Sequence, residues 1–317
     1  MNLVVWGLGK HAINKVIPAV QRSNRFSLYG VCSRDINILE QTQDNYQIKA
    51  WNNSNEMLKD KNIDAIYLAT PPAVHKEQAL HILDHGKHLI CEKPITMSSQ
   101  DTLLLAEKAH NSNLVLLEGL MYKYHPQYRK ILLLLRSKKL GKIKAIKSSF
   151  QLPPLELPGY RKKRDLGASA IYDLGIYPVS LIFGLFDFTQ LELSKKRITY
   201  DENLKYDTSG EVILKIDNDI HCEIDWAYDR TYVNEVSILG MDLMLNSKFI
   251  FSKDSTHEAS ISLYSNNELV ENILIEAADH FELMLESFSD SINDPNSKRK
   301  ETDSMLDMSI FLDKLAK

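Results

Sequence analysis

Residues 3–12 read LVVWGLGKHA. The apolar run Leu3–Trp6 has the length of a buried strand, and Gly7 and Gly9 break it. Beyond them Ile13, Val16, Ile17 and Val20 recur at three- and four-residue spacing, the pattern of a helix with one buried face. Gly7-Leu8-Gly9-Lys10-His11-Ala12 is therefore a G-x-G-x-x-A fingerprint set between a strand and a helix. The first glycine permits a tight turn, the second lets backbone approach a pyrophosphate, and Ala12 keeps helix and strand close. The helix start offers free N–H groups and partial positive charge to the phosphates. A short glycine pattern alone also fits an ordinary α/β turn. Its placement favours a dinucleotide, held by Gly7, Leu8, Gly9, Lys10 and His11.

The flanking sequence repeats the theme. Apolar runs at Leu28–Cys32, Ile48–Trp51, Ile63–Ala69, His88–Cys91 and Leu114–Leu117 predict five further strands. Between them lie helical patterns through Ala79, Leu80 and Leu83, ending at Gly86, and from Ser99 to Asn111. Strands alternating with helices predict a parallel sheet covered on both faces, an α/β fold. The later chain reads differently. A helix includes Ile131–Leu135, with Leu132–Leu135 as core, and a proline-rich loop spans Leu152–Gly159. From about Leu191 short alternating runs follow one another without helices, separated by turns such as Asp217-Asn218-Asp219, which predicts an antiparallel sheet. The end, from Ser304 to Lys317, returns to helix. The expected domains are 1–120 and 121–317.

Composition narrows the function classes. The chain has 317 residues, 44% hydrophobic and 25% charged, which excludes a disordered or collagen-like chain. Thirty-eight basic against 42 acidic residues give a net charge of −4, no field to gather nucleic acid. Cys32, Cys91 and Cys222 are far apart, which excludes a disulfide framework and a thiolate zinc site. No signal peptide and no apolar run able to span a bilayer is read, so a cytoplasmic setting is expected, with no membrane partner. His81, His85 and His88 lack a carboxylate set and read as a solvated helix face, so no metal is expected.

Two positions bear on chemistry. At the end of the second strand, where NAD sites usually carry an acid for the ribose diol, stand Ser33 and Arg34, with an acid only at Asp35. A hydroxyl and a guanidinium suit a 2′-phosphate, so NADP(H) is expected, with NAD(H) possible; a solvated arginine is the plainer alternative. Cys91-Glu92-Lys93-Pro94 follows the fifth strand, at the carboxyl edge where open α/β sheets bind ligands. A lysine there can hydrogen-bond a substrate oxygen and help move its proton. On spacing alone, a solvated cation fits as well.

The segments GLGKHA, ATPPAVHKEQALHIL, GKHLICEKP, EGLMYKYHPQ and GASAIYDLGIYP, in this order, resemble the Gfo/Idh/MocA oxidoreductase family, and especially its dihydrodiol dehydrogenase, D-xylose dehydrogenase and sugar-ketoreductase members. The resemblance covers residues 1 to about 185; the later sheet is similar only in pattern. It implies a Rossmann doubly wound domain followed by an α/β domain with an open, mainly antiparallel sheet. It also implies hydride transfer between a nicotinamide and a secondary alcohol or ketone carbon of a sugar or cyclic polyol.

By the same resemblance Lys93 is the family's EKP lysine, and Tyr177 and Asp173 its second-domain pair: Tyr177 the acid/base, Asp173 orienting substrate hydroxyls. A helix break at Tyr177 and a surface role for Asp173 are the local alternatives. Thr70, Pro71, Pro72, His75, Glu92 and Lys93 itself fall at cofactor positions, although His75 also reads as a plain helix N-terminal residue. Lys123, where arginine is more usual, falls to the substrate; Arg161 and Arg164, in the basic run 161–164, are expected to meet a phosphate of the substrate or the cofactor, with a solvated basic loop as the plainer alternative. Gly167-Ala168-Ser169 replaces the usual three glycines, which bears on substrate identity. A homodimer or homotetramer is expected through the exposed sheet face. Two rivals accompany this reading: a reductase of a nucleotide-linked keto-sugar, and a dinucleotide-binding sensor without turnover.

Overall fold

The computed structural model describes residues 1–154, 159–217 and 219–317, without the side chains of residues 295–301. The centre of the proline-rich loop, residues 155–158, and Asn218 of the expected turn lie outside the described residues. Packing divides the chain into two units, Met1–Leu120 with Phe281–Ile310, and Met121–His280 with Phe311–Lys317. The segment 281–310, expected in the second domain from its position in the chain, thus packs with the first.

The first unit holds six parallel strands: β1 (Asn2–Trp6), β2 (Ser27–Cys32), β3 (Lys49–Trp51), β4 (Ala65–Leu68), β5 (His88–Cys91) and β6 (Leu116–Glu118), in the order β3-β2-β1-β4-β5-β6. Their apolar continuity follows from burial on both faces: Leu3, Val4, Val5, Ile66, Leu68, Leu89 and Ile90 are fully buried. The intervening helices are α1 (Ile17–Arg22), α2 (Ile36–Tyr46), α3 (Ser54–Lys59), α4 (His75–Asp84) and α5 (Ser99–Asn111). Gly86, with φ at +69°, ends the α4 turn as its sequence predicts. Strand order reverses between β1 and β4, so the carboxyl ends of these two strands flank a topological switch point.

The second unit contains α6 (Pro126–Arg136), β7 (Ile143–Gln151), α7 (Ile176–Leu185) and seven further strands: β8 (Leu191–Asp201), β9 (Tyr206–Ile216), β10 (Ile220–Ala227), β11 (Val233–Gly240), β12 (Met244–Lys248), β13 (Ala259–Ser265) and β14 (Glu268–Ile275). They form one sheet, β14-β13-β12-β11-β7-β10-β9-β8, antiparallel except where β7 meets β10. β7 was not legible because its stretch IKAIKSSFQ turns a polar residue, Ser148, fully inward. On α6, Ile131 and Leu134 are buried but Leu133 is 58% exposed, so the Leu132–Leu135 run is not wholly core. Two helices close the chain, α8 (His280–Asn293) and α9 (Pro295–Ala316). Contrary to the sequence expectation, the run 164–185 is long and apolar enough to cross a membrane; it is mostly buried inside the protein, as a core helix is.

Candidate active site

The first unit assembles the dinucleotide elements. β1 ends at Trp6, and the Gly7 N–H donates to the Cys32 carbonyl at the end of β2 (2.9 Å). Gly7 takes φ +107°, and a Cβ there would lie 2.7 Å from the Ala69 carbonyl and 2.8 Å from the Thr70 nitrogen, so only glycine lets the β1 and β4 turns meet. At Gly9 a Cβ would meet nothing within 4 Å, which leaves the turn open on the side where a pyrophosphate would lie. The helix that follows opens with a π-helical turn, Ala12–Val16, before α1. A wide turn of this kind is not readable from apolar spacing and is frequent at functional sites. The Ile13 N–H already donates to the Gly9 carbonyl (3.1 Å); the N–H groups that precede it at the helix start are the ones a dinucleotide diphosphate would meet.

At the end of β2, Ser33 Oγ accepts from the Asp35 N–H (3.1 Å), and the Asp35 carboxylate accepts from the Ile38 N–H (3.2 Å) as the N-cap of α2. Arg34 is exposed, with no ion pair among the described residues. The nearest acid is thus committed to a helix end, and the arginine is available to an anion.

The Glu92-Lys93-Pro94 segment leaves β5 buried, with Lys93 only 7% exposed. Glu92 Oε1 accepts from the Tyr67 hydroxyl (2.6 Å) and lies 3.1 Å from His11 Nε2, while Oε2 accepts from the Lys93 N–H (3.3 Å). Burial disfavours the Glu92 charge, but His11, the Tyr67 hydrogen bond and the nearby Lys93 outweigh it and hold the carboxyl down at about 2. The next residue, Ile95, donates its N–H to Glu118 Oε1 (2.8 Å), so a carboxylate from β6 fixes the far side of the segment.

His75 is fully buried at the start of α4, its Nδ1 2.8 Å from the Pro94 carbonyl and its Nε2 2.8 Å from the Thr70 carbonyl. Burial pushes its pKa down. A ring enclosed in this way has no face for a cofactor; it ties the Thr70-Pro71-Pro72 turn to the Lys93-Pro94 segment instead. The Thr70 hydroxyl donates to Gln78 Oε1 (2.6 Å) and steadies the same turn.

In the second unit, a second π-helical turn, Ile171–Gly175, runs into α7 and carries Asp173; Tyr177 follows on α7. A Cβ on Gly175 would lie 2.8 Å from the indole of Trp226, so this glycine lets the turn sit flat on a fully buried tryptophan of β10. The Asp207 carboxylate anchors the start of the turn, accepting from Ser169 Oγ (2.5 Å) and the Ile171 N–H (2.6 Å).

Asp173 is 2% exposed and accepts from Arg161 through Nε (2.5 Å) and Nη2 (3.1 Å), from the Tyr160 hydroxyl (3.0 Å) and from the Tyr228 hydroxyl (2.8 Å). The Asp173 charge raises the Arg161 pKa further, so this guanidinium stays charged. Of the residues expected to meet substrate, Arg161 and Asp173 come together. Arg164 and the intervening Lys162 and Lys163 are exposed, and Lys123 lies half-buried in a turn, Met121–Tyr124.

Tyr177 is 6% exposed, and its hydroxyl donates to Met121 Sδ (3.8 Å). Its ring packs with those of Tyr122, Phe150 and Phe251 at centroid distances of 6.0, 5.3 and 5.8 Å. Sequence reading missed Tyr67, Glu118, Tyr160, Asp207 and Tyr228. All but Tyr160 lie more than 20 residues from the group they hold, and none has local spacing that marks it. Among the described residues no three His, Cys, Asp or Glu side chains form a metal-holding group.

Two family models match this chain: an oxidoreductase family with an NAD-binding Rossmann fold over residues 1–120, and the GFO/IDH/MocA C-terminal domain over residues 128–245. The dTDP-3,4-didehydro-2,6-dideoxy-α-D-glucose 3-reductase of Actinomadura kijaniata is 22% identical over 309 residues, 98% of this chain and 92% of that one. The D-xylose 1-dehydrogenase (NADP(+)) 2 of Haloferax volcanii is 25% identical, covering 95% of this chain and 93% of that one. The trans-1,2-dihydrobenzene-1,2-diol dehydrogenase of Xenopus laevis reaches 33% identity over 54% of this chain and 51% of its own length. Among solved structures, a 3-ketoreductase from Actinomadura kijaniata in complex with NADP and TDP-benzene superposes with TM-score 0.93 at 22% identity, covering 99% of this chain and 96% of that one. At that identity the likeness establishes the fold.

Proposed function

The chain belongs to the Gfo/Idh/MocA family of oxidoreductases, and from that premise we propose that it is an NADP-dependent enzyme moving hydride between the nicotinamide and a secondary alcohol or ketone carbon of a sugar or cyclic polyol. The observation that carries the cofactor choice is Arg34, exposed beside Ser33 at the end of β2 while Asp35 caps α2. A guanidinium there recognises the 2′-phosphate that separates NADP from NAD. Bound NADPH would supply the hydride in reduction and NADP+ would accept it in oxidation; the protein must bind the cofactor, orient the substrate and handle one proton.

Tyr177 would give a proton to the carbonyl oxygen in reduction and take it back in oxidation, and the Lys93 ammonium would hydrogen-bond that oxygen. The glycine turn and the backbone of the Thr70-Pro71-Pro72 turn serve the dinucleotide, and His75 and Glu92 fix the segment that carries Lys93. Asp173 acts by presenting Arg161 and Tyr228 to the substrate, and Lys123 and Arg164 complete the polar contacts. We infer a homodimer or homotetramer, through the sheet face that leaves Leu239 and Leu274 exposed. A cytoplasmic setting agrees with three buried free thiols.

A second reading, a ketoreductase of nucleotide-linked sugars, is favoured by the consecutive cations 161–164 and by the ketoreductases to which this chain is similar. A panel of free sugars, nucleotide-linked keto-sugars and cyclic diols, read as change in NADPH absorbance, tests both. Turnover of a keto-sugar with NADPH, or of a diol or free sugar with NADP+, is expected. Activity with none of the three classes would remove the reading.

A further inference from the structure

His11 lies in the glycine turn yet carries a side chain that the diphosphate does not require. Its Nε2 is 3.1 Å from Glu92 Oε1, and its ring is set edge-to-face on Phe281 of α8, centroid to centroid 5.3 Å. Across the same carboxylate, Oε2 accepts the backbone N–H of Lys93 at 3.3 Å. An unbroken path of two hydrogen bonds thus runs from an imidazole in the dinucleotide turn to the backbone of the lysine at the end of β5.

We propose that His11 is a positioning residue for Lys93, acting through Glu92, so that the protonation of its imidazole sets how firmly the lysine segment is held. A hydrogen bond between two charged groups is shorter and roughly twice as strong as one between neutral groups. With the imidazolium in place, the carboxylate is drawn toward His11 and held between it and the Tyr67 hydroxyl, which fixes where Oε2 meets the Lys93 N–H. When the proton leaves, the contact keeps only the carboxylate's charge and loses the attraction between two opposite charges. Among the described residues, these charged and titratable groups lie about the imidazole. Glu92 comes from the end of β5, with Lys93 beside it; the Tyr67 phenol comes from β4 through Glu92; Lys10 is its neighbour on the turn. On α8, Glu282 follows Phe281 but is paired with Arg22 at 3.5 Å. Glu92 is the carboxylate in direct contact, and it stays ionised throughout the imidazole's range.

The inference rests on the redox reading for its consequence but not for its geometry, and the experiment separates the two. In the full-length protein without cofactor, the His11 ring and the Lys93 amide are followed by NMR through a pH titration. The Lys93 amide shift should track the His11 midpoint. In Glu92→Gln the tracking should vanish, because the carboxylate that joins the two groups is gone. A Lys93 amide indifferent to the His11 titration overturns the proposal whatever the enzyme does.

With NADPH and the best ketone of the panel, His11→Ala should lower kcat by about tenfold through loss of alignment, with the NADPH Kd changed by less than about threefold. His11→Gln, a hydrogen-bond donor without charge, should recover most of that rate and lose any pH dependence matching the His11 midpoint. It also stands in should His11→Ala not fold. A large loss of NADPH affinity with kcat unchanged would make His11 a cofactor ligand and overturn its positioning role. Tracking in the NMR titration without turnover of any substrate would instead remove the redox reading and leave the coupling standing.

Discussion

Arg34 and Glu92 show two ways in which one side chain at a strand end decides behaviour. Arg34 is exposed and carries no fold-holding contact among the described residues, so its replacement should leave stability alone. A hydrogen bond to a charged group is worth about 1.5–3 kcal/mol, roughly ten- to hundredfold in affinity. Arg34→Ala should therefore weaken NADPH by that factor and leave NADH nearly unchanged, measured by fluorescence titration of both cofactors. Equal losses would return the ribose contact to Asp35. Glu92 is the opposite case, a carboxylate 13% exposed whose charge the fold stabilises. Its folded pKa is lowered from 4.5 to about 2, so the stabilisation is full above about 4.5 and is lost as pH falls from there toward 2. A shift of that size corresponds to at most about 3 kcal/mol. Urea unfolding at stepped acidic pH should show Glu92→Gln losing its stability less steeply than the parent, and parallel curves would mean that Glu92 is not held in this way.

At the scale of elements, what the sequence disclosed was what local pattern encodes. β1, β2, β4 and β5 follow from apolar runs ended by glycine, proline or charge, and the glycine turn falls where strand and helix periodicities meet. Three things escaped for one reason: their cause is distant in sequence. β7 turns Ser148 inward to a core built by strands 60 and more residues later. The π-helical turn at Ile171–Gly175 accommodates Trp226 and Asp207, which no window around it contains. Asp173, expected to face substrate hydroxyls, has both oxygens occupied by Arg161, Tyr160 and Tyr228. The last point sharpens the meaning of the basic run 161–164. One of its four cations is neutralised by a buried carboxylate, and Lys162, Lys163 and Arg164 are exposed. If the substrate carries a phosphate, neutralising Lys162 and Arg164 together should lower kcat/KM for a nucleotide-linked sugar several-fold at low salt, and the difference should shrink above physiological ionic strength, where surface charges are screened within about 8 Å. Unchanged kcat/KM at low salt would assign the run to solvation alone and favour an uncharged sugar.

Over the whole molecule, the chain's return to the first unit was the least legible feature, because a helix declares its apolar face and not its partner. Phe281, Met284, Leu285 and Phe288 of α8 recur at three- and four-residue spacing and are all buried, and Phe288 stacks on Phe26 at 5.9 Å. The fold class and family, by contrast, were legible from a handful of segments in order, since each encodes a turn or strand end that the chemistry requires. That leaves enzyme against sensor, which fold cannot decide because one architecture serves both. A general acid or base contributes about 10²–10⁴-fold, roughly 3–5 kcal/mol of barrier. Lys93→Met and Tyr177→Phe should each lower kcat within that range with NADPH still bound, since the glycine turn and Arg34 are untouched. Tyr177→Phe keeps the ring that packs on Phe150 and Phe251 and removes only the hydroxyl, so its loss reads chemistry rather than packing. If both groups serve one proton transfer, the double variant should lose less than the product of the single losses, because removing either already disables the step. Losses that multiply would assign the two groups to separate steps. A protein that binds NADPH, turns over no sugar, ketose or diol, and keeps a binding partner through both substitutions would be a sensor, and Lys93, Asp173 and Tyr177 would then lose their catalytic assignment together.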